Sequence, residues 1–572
     1  MNSKPGWGWG ALIGGVLSIP LIAISYLGFQ AAALPFVPFD LFDWLARNLP
    51  TPLLTIGRST IEEVVAAVQI GNSSDTAKTA ENLMGILIVV AIGAIAGLFF
   101  FLLMNRLRAT STGAVPGLVL GVLAALPFLL FTLSVNLSAA ADPLMAVIWI
   151  GALFAIWGLG VGWAYQRLSA PLPVPVRSSA AQPTTNAYAI DRRSFLVQVG
   201  AATATITVIG AGLGSLLSRR IAEEQSVAQL QAASVDSVGP EVTAEPLPNA
   251  ADPVVPAPGT RSEITPLAEH YRIDIRSDPN GLDIPEEGYT LQFESAIPGE
   301  EGPIAEMTLD DIRNNFEPVS DYITMSCISN RVAGDLISTI KWTGARMKDV
   351  LATVEVPERA THLRIWGGDD FDETVALDVI ENDERVMLCY AWEDKPLTSR
   401  HGFPLRIHIP NLYGMKQPKW ITRIEFLEGD QDGYWVRRGW DKVASVMSTS
   451  VIDTVATENA FANAEGSTLI PIGGIAWAGD RGIAKVEVRI DGGDWVGAQI
   501  RSAVSDRTWN LWRYDWPFVE GDHTFEVRCV EGDGAMQMEA VAGTRPSGAT
   551  GLHSVRTTVS GTFTLTPRPP LL

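Results

Sequence analysis

Three cysteines, Cys327, Cys389 and Cys529, are too few for a disulfide scaffold. No two have the spacing of a zinc ribbon, a cysteine-ligated iron–sulfur cluster or a Cys-x-x-Cys-His haem attachment, so neither haem nor cluster is expected in this chain. All six histidines (270, 362, 401, 408, 523 and 553) lie beyond residue 217, which denies the N-terminal part a bis-histidine haem. Cys327 stands in TMSCISNR at the end of a strand-like run. A lone cysteine in apolar surroundings is ordinarily a small core residue, whereas the polar Ser-Asn-Arg that follows this one suits a cavity edge. Lys416 and Lys419 flank a turn region in an otherwise acidic domain, as either a solvated surface pair or the counter-charge for a bound dianion.

The chain that must position these residues has 572 of them, room for three or four domains at about 150 residues each. A formal net charge of −21 and a pI near 4.8 exclude a binder of nucleic-acid backbones. Hydrophobic residues make up 47% and charged residues 18%, with mean hydropathy +0.18, too apolar for a disordered chain or an ordinary soluble enzyme. The excess falls in runs at 11–29, 83–104, 115–135 and 144–166, each with the roughly 20 residues that cross about 30 Å of hydrocarbon. A fifth run, 195–217, is richer in Gly, Ala and Thr. Lys4, Arg106, Arg108, Arg167, Arg177, Arg192 and Arg193 mark the cytoplasmic turns, and the turn VNLSAAAD has no basic residue. The N-terminus is then cytoplasmic and everything after the fifth span lies outside. The lead-in Asp191-Arg192-Arg193-Ser194-Phe195-Leu196 resembles a twin-arginine export signal placed inside the chain, near 191–217. In the first loop, DLFDWLARNLP and STIEEVVAAV have the spacing of interfacial helices. With no charged residue inside a span, a pump or channel is not expected.

Residues 218–262 are rich in Ala, Pro, Glu and Ser and read as an extended tether, with IAEEQSVAQLQAA continuing the fifth helix. From 263 to 436 short strands (YTLQFESAI, DYITMSCIS, THLRIWGG, LRIHIP, WITRIEFLEG) alternate with helical stretches (MTLDDIRNNF, ARMKDVLATV), an α+β pattern. From 437 to 572 the chain reads as all-β. Val486, Val488 and Ile490 alternate with charged residues before an Asp-Gly-Gly turn, and Phe525, Val527 and Cys529 repeat the device. A sandwich of immunoglobulin type is expected.

Over about 263–565 the sequence resembles the sulfite oxidase-type molybdopterin family. CISNRVAGDLISTIKWTGARMKDVL is similar to that family's Cys-x-x-Asn segment, HGFPLRIHIPNLYGMKQPKWITRIEF to its pterin-phosphate segment, and GYWVRRGW with GIAWAGDRGIAKVEVRIDGGDW to the start of its C-terminal sandwich. The arrangement as a whole resembles membrane-tethered bacterial members, with spans 1–217 in the cytoplasmic membrane and the C-terminal half extracytoplasmic. The resemblance implies one molybdenum–molybdopterin, with Cys327 as the protein thiolate on the metal. It also implies that His401, Arg406, Gln417, Pro418 and Lys419 bind pterin and phosphate, and it places Asp370, in GGDDFDE, near the pterin. Tyr390 matches the family's active-site tyrosine, while Arg272 and Arg481 match arginines that hold a substrate oxyanion.

There are departures. Val332 stands where sulfite oxidases carry a second arginine, and Arg272-Ile273-Asp274 replaces Arg-Asn-His. One cation fewer and one carboxylate more disfavour a small dianion such as sulfite and leave room for a neutral S- or N-oxide. The expected function is two-electron oxygen-atom transfer on a small molecule. Electrons would pass to or from a separate carrier, a cytochrome c or a quinone-linked protein, and the C-terminal domain would pair two subunits. The rival readings are a non-enzymatic membrane-tethered binding or scaffold protein with a degenerate domain, and a membrane assembly subunit.

Overall fold

The computed structural model describes residues 5–32, 34–49, 73–107, 113–135, 143–169, 192–235, 246–276, 278 and 281–560, which form an N-terminal helical unit and a C-terminal β-rich unit. The helical unit contains α1 (Trp7–Ala32), α2 (Val37–Asn48), α3 (Ser73–Arg106), α4 (Ala114–Val135), α5 (Pro143–Ser169) and α6 (Arg192–Val235). Among the described residues, five stretches are long and apolar enough to cross a membrane: Trp7–Ala32, Leu83–Arg106, Ala114–Ser134, Pro143–Ser169 and Val197–Leu217. Glycines bring these helices close. Gly10 and Gly14 of α1 lie on Gly97 and Gly93 of α3, and Gly117 and Gly121 lie against Gly158 and Phe154 of α5, so that an added Cβ would collide with the facing backbone. That is the packing expected where lipid is as apolar as leucine and close backbone approach supplies the attraction. Polar side chains find partners inside the unit, with Trp157 Nε1 donating to Gly14 O at 3.2 Å and Tyr165 Oη to Asn105 Oδ1 at 3.0 Å. The first expected interfacial helix is α2. The second, at 59–68, falls outside the described residues, as do Asp191, the side chains of Arg192 and Arg193, and linker residues 236–245.

The β-rich unit is built from strands β1 (Thr290–Ser295), β2 (Gly302–Thr308), β3 (Pro318–Ser326), β4 (Ile337–Arg346), β5 (His362–Gly367), β6 (Asp372–Ala376), β7 (Met387–Trp392), β8 (Lys395–Pro396), β9 (Arg406–His408), β10 (Ile421–Leu427), β11 (Thr449–Val455), β12 (Phe461–Ala462), β13 (Thr468–Trp477), β14 (Ile483–Ile490), β15 (Val496–Gly497), β16 (Gln499–Ile500), β17 (Asn510–Pro517), β18 (Gly521–Glu531) and β19 (His553–Val559). One sheet has the order β2-β1-β10-β5-β6, with β1 and β10 parallel, and a second has β3-β4-β7-β8 with β9 also on β7. The short helix Leu309–Asn314 starts on a capping box, with Thr308 Oγ1 accepting from Asp311 N while the Asp311 carboxylate accepts from Thr308 N. Between the two sheets lies a core that includes Leu291, Phe293, Leu363, Ile365, Leu388, Ile407, Ile424 and Phe426.

The remaining strands form two antiparallel sheets, β11-β13-β17-β16 and β15-β14-β18-β19. Ile470, Ile472 and Trp512 of one meet Val486, Val488, Phe525, Val527 and Cys529 of the other in a shared core. The alternation legible in KVEVRI and TFEVRC is the inward face of this sandwich. In the connection from β14 to β15, Asp491 and Gly492 have φ 52° and 72°, and Gly493 N donates to Ile490 O at 2.9 Å, closing a tight turn.

Residues 246–262, expected as part of a free tether, run instead as a strap along the sandwich. The Arg501 guanidinium donates to the carbonyls of Asn249, Asp252 and Val254 at 3.0 Å each, and the Asp252 carboxylate accepts from Ser502 N at 2.8 Å. Further along, Arg261 is paired with Asp453 and Arg513 donates to Val255 O at 3.1 Å. A proline-rich chain cannot form a ladder, but its carbonyls remain acceptors, and a distant arginine satisfies them. Arg501→Ala should lower stability by about 1–3 kcal/mol and expose 246–262 to protease, read by denaturant titration and limited proteolysis. An unchanged midpoint and cleavage pattern would show the strap to be held otherwise.

Candidate functional site

Strand β3 delivers Cys327. It pairs with β4 from Pro318↔Ala345 to Ser326↔Ile337, after which the chain reverses. Cys327 N donates to Leu336 O at 3.0 Å, and Asn330 N donates to Cys327 O at 2.9 Å. Asn330 Oδ1 accepts from Leu336 N at 3.0 Å, so the asparagine three residues on serves to close the loop that presents the thiol. Cys327 is 7% exposed, with Sγ 3.0 Å from Ser329 Oγ. The other two cysteines are enclosed core residues, and burial pushes each thiol up to about 12. The sandwich clamps the same strand. Thr324 N donates to Arg507 O at 3.1 Å, Trp509 N to Thr324 Oγ1 at 3.0 Å and Ser505 Oγ to Tyr322 O at 2.6 Å, while Arg507 pairs with Asp321.

Beside this loop lies a buried cationic pocket. The short turn Ser399–His401 holds His401, and β9 carries Arg406, whose Nη1 donates to His401 O at 3.2 Å and whose Nη2 lies 3.8 Å from Met325 Sδ, two residues before Cys327. Gly402, at φ 109°, lies between Arg406 and Lys419: a Cβ there would meet the Cβ atoms of both within 3.2 Å. Lys419 Nζ donates to Asp274 Oδ2 at 3.0 Å, and Arg272 Nε donates to the same oxygen at 2.7 Å. Arg406 also lies over the Trp342 ring, 4.7 Å from its centroid, and Lys419 over that of Trp420 at 4.4 Å. Rings of His270, His401, Trp342 and Trp392 box the pocket, with His270 and His401 5.1 Å apart. Burial first, and then the surrounding positive charge, hold both histidines well below the usual imidazole range, so they are neutral at neutral pH. Burial and then the neighbouring Cys327 raise the Tyr271 phenol, whose ring packs in the same cluster as Met325, Cys327 and Trp342.

A small cleft opens beside the loop, lined among others by Asn330, Arg331, Val332, Tyr413, Met447 and Trp477. The Tyr413 hydroxyl accepts from Met447 N at 3.1 Å.

The structure therefore brings Cys327, Arg406, His401, Lys419 and Arg272 to one region, and it distributes the other expected residues differently. Gln417 uses its amide internally, donating to Ile409 O and Leu412 O and accepting from His408 Nδ1 at 2.9 Å, and the Pro418 carbonyl accepts from Ile407 N. Lys416 is no surface cation, since its Nζ is buried on Glu373 at 2.8 Å. Tyr390 lies on the opposite face of β7 from Cys389, in the core between the sheets, with Arg313 over its ring. Tyr413 is the tyrosine that reaches the cleft. Arg481 is tied to Glu531, Asn411 and Val446 O. Asp370 is exposed in a turn at φ 62°. His270, Tyr271, Trp342, Thr398 and Tyr413 are participants that the sequence reading did not single out, and Asp274, read there as a carboxylate that disfavours an anion, is the shared partner of Arg272 and Lys419.

The residues present fit a molybdopterin. Its donor demand is one soft thiolate together with an anion cradle, and Cys327 with Arg272, Arg406 and Lys419 supplies both. Two buried polar atoms in the pocket, Trp342 Nε1 and Thr398 Oγ1, have no partner among the described residues, which is what a polar ligand would relieve. Among the described residues no group of three or more His, Cys, Asp and Glu could hold a metal ion. A metal carried largely by an organic dithiolene needs only the one thiolate.

Residues 282–435 match the family described as oxidoreductase molybdopterin binding domain. The chain is 27% identical over 312 residues to mitochondrial sulfite oxidase of Macaca fascicularis, covering 47% of this chain and 56% of that protein. It is 26% identical over 270 residues to the Homo sapiens enzyme, covering 40% and 49%, and 26% identical over 247 residues to nitrate reductase [NADH] 1 of Oryza sativa subsp. japonica, covering 33% and 26%. The chain thus spans about half the length of these sulfite oxidases. The sulfane dehydrogenase SoxCD of Paracoccus pantotrophus aligns with a TM-score of 0.44 and 17% identity, over 53% of this chain and 82% of that one.

The buried Lys416–Glu373 pair anchors the turn that leads from Tyr413 to Lys419, and Glu373 Oε1 also accepts from Trp435 N at 2.9 Å. Lys416→Met should destabilise by about 3–5 kcal/mol because it strands a buried carboxylate. Lys416→Met combined with Glu373→Gln, which keeps that acceptor without the charge, should regain most of the loss. Thermal denaturation checks this, and a double variant as unstable as the single would contradict it.

Proposed function

We propose, from the premise that the chain belongs to the sulfite oxidase-type molybdopterin family, that it is a membrane-anchored molybdenum oxidoreductase transferring an oxygen atom to or from a small substrate. The observation that carries this reading is the convergence of a buried thiol, Cys327, with two buried guanidiniums, the largely enclosed Lys419 and two polar atoms unpartnered among the described residues. When bound, the cofactor supplies the two-electron chemistry. Cys327 would ligate its metal, with the loop closed by Asn330 fixing the sulfur's direction. Arg272, Arg406 and Lys419 would hold its phosphate, and neutral His401 and Thr398 would offer hydrogen bonds to its polar edges. Arg331 and Asn330 would receive the substrate's oxygen in the cleft, and the Tyr413 hydroxyl, fixed by Met447 N, would donate there. Val332 and Met447 beside Arg331 keep the charge of the cleft low, which suits an S- or N-oxide at least as well as sulfite.

The same reading puts the five apolar helices in a bacterial cytoplasmic membrane, the β-rich unit outside it after twin-arginine export, and a cytochrome c or quinone-linked protein as electron partner. It takes the C-terminal sandwich as immunoglobulin-like and a surface for subunit pairing.

Purified full-length protein should contain molybdenum and pterin in equal amounts and respond in a voltammetric screen to one of sulfite, sulfoxides, N-oxides or chlorate. Cys327→Ser should reduce that response by more than about 100-fold. A variant retaining full redox activity would refute the assignment.

A further inference from the structure

We propose that Asp274 is a positioning residue for the cofactor's phosphate: one carboxylate oxygen holds both Lys419 and Arg272 in the cradle before and after the anion arrives. The inference rests on the molybdopterin reading above and deepens it. Asp274 is 2% exposed, and both its cations share Oδ2, at 2.7 Å from Arg272 Nε and 3.0 Å from Lys419 Nζ. Arg272 and Lys419 meet on this carboxylate, and the Arg406 guanidinium stands close enough to act on Lys419, which gathers three cationic side chains at one place for an anionic phosphate. The other groups facing Lys419 add no negative charge. They are neutral His270 and His401, the Arg400 carbonyl at 3.5 Å and the Trp420 ring.

Without Asp274 an ammonium buried beside two guanidiniums would be costly, and the cheapest relief is loss of its proton. Burial already draws Lys419 down to about 8, and Asp274 is the group pulling the other way. Removing that carboxylate charge moves the titration lower still. A neutral amine contributes no charge to a phosphate, so the grip weakens as pH rises through neutrality. Asp274 thus sets the pH range over which the cradle keeps its charge.

The test is retention of molybdenum and of pterin fluorescence by full-length protein after dialysis at about pH 5.5 and about pH 7, both below the native Lys419 titration. The native protein should retain both at either pH. Asp274→Asn should lose several-fold more cofactor at the higher pH, Asp274→Glu should restore retention, and Asp274→Asn with Lys419→Arg, whose guanidinium stays charged, should abolish the pH dependence. Retention equal to native, a loss independent of pH, or no recovery in the Lys419→Arg background would each overturn the proposal while leaving the molybdopterin reading intact if the native protein is loaded. A native protein without molybdenum and pterin would remove both.

Discussion

Positive charge taken out of water has to be answered, and the β-rich unit gathers three cationic side chains in one place. Arg272 and Arg406 are buried and Lys419 is largely enclosed, and Arg272 and Lys419 share the Asp274 carboxylate. A bound anion would add to that balance. The surroundings follow from that constraint. The histidines stay neutral because another cation would be intolerable, the aromatic rings present their faces to Arg406 and Lys419, and Gly402 has no side chain because Arg406 and Lys419 flank it.

The second dependency is mechanical. Cys327 sits at the end of a strand whose outer edge is held by the sandwich through Thr324, Tyr322 and Asp321. A loop would place a metal-directed sulfur less well than a strand paired on one side and clamped on the other. The C-terminal sheets therefore contribute to the position of a residue more than 120 positions before they begin, besides lending Met447 and Trp477 to the cleft.

Much of this was legible in the sequence. Period-two alternation gave β14 and β18, and hydropathy located the five apolar helices. The resemblance of HGFPLRIH and QPKW to the family's pterin-phosphate segment picked out His401, Arg406 and Lys419. What was not legible depends on which face a residue takes and on partners distant in sequence. Tyr390 follows Cys389 directly, and in a strand neighbours point oppositely, so only one of them can face the Cys327 side. Lys416 and Lys419 look alike in the sequence, but the first meets Glu373 and the second Asp274. The strap at 246–262 has the composition of a linker, and only arginines far along the chain, Arg501 and Arg513, give its carbonyls a reason to stay.

The most direct test of the central claim is the sulfur environment of the metal, measured by molybdenum K-edge absorption on intact protein. Ligation by Cys327 beside one dithiolene predicts three sulfur neighbours, falling to two in Cys327→Ser. An identical sulfur count in both proteins, or no molybdenum in either, would contradict the account.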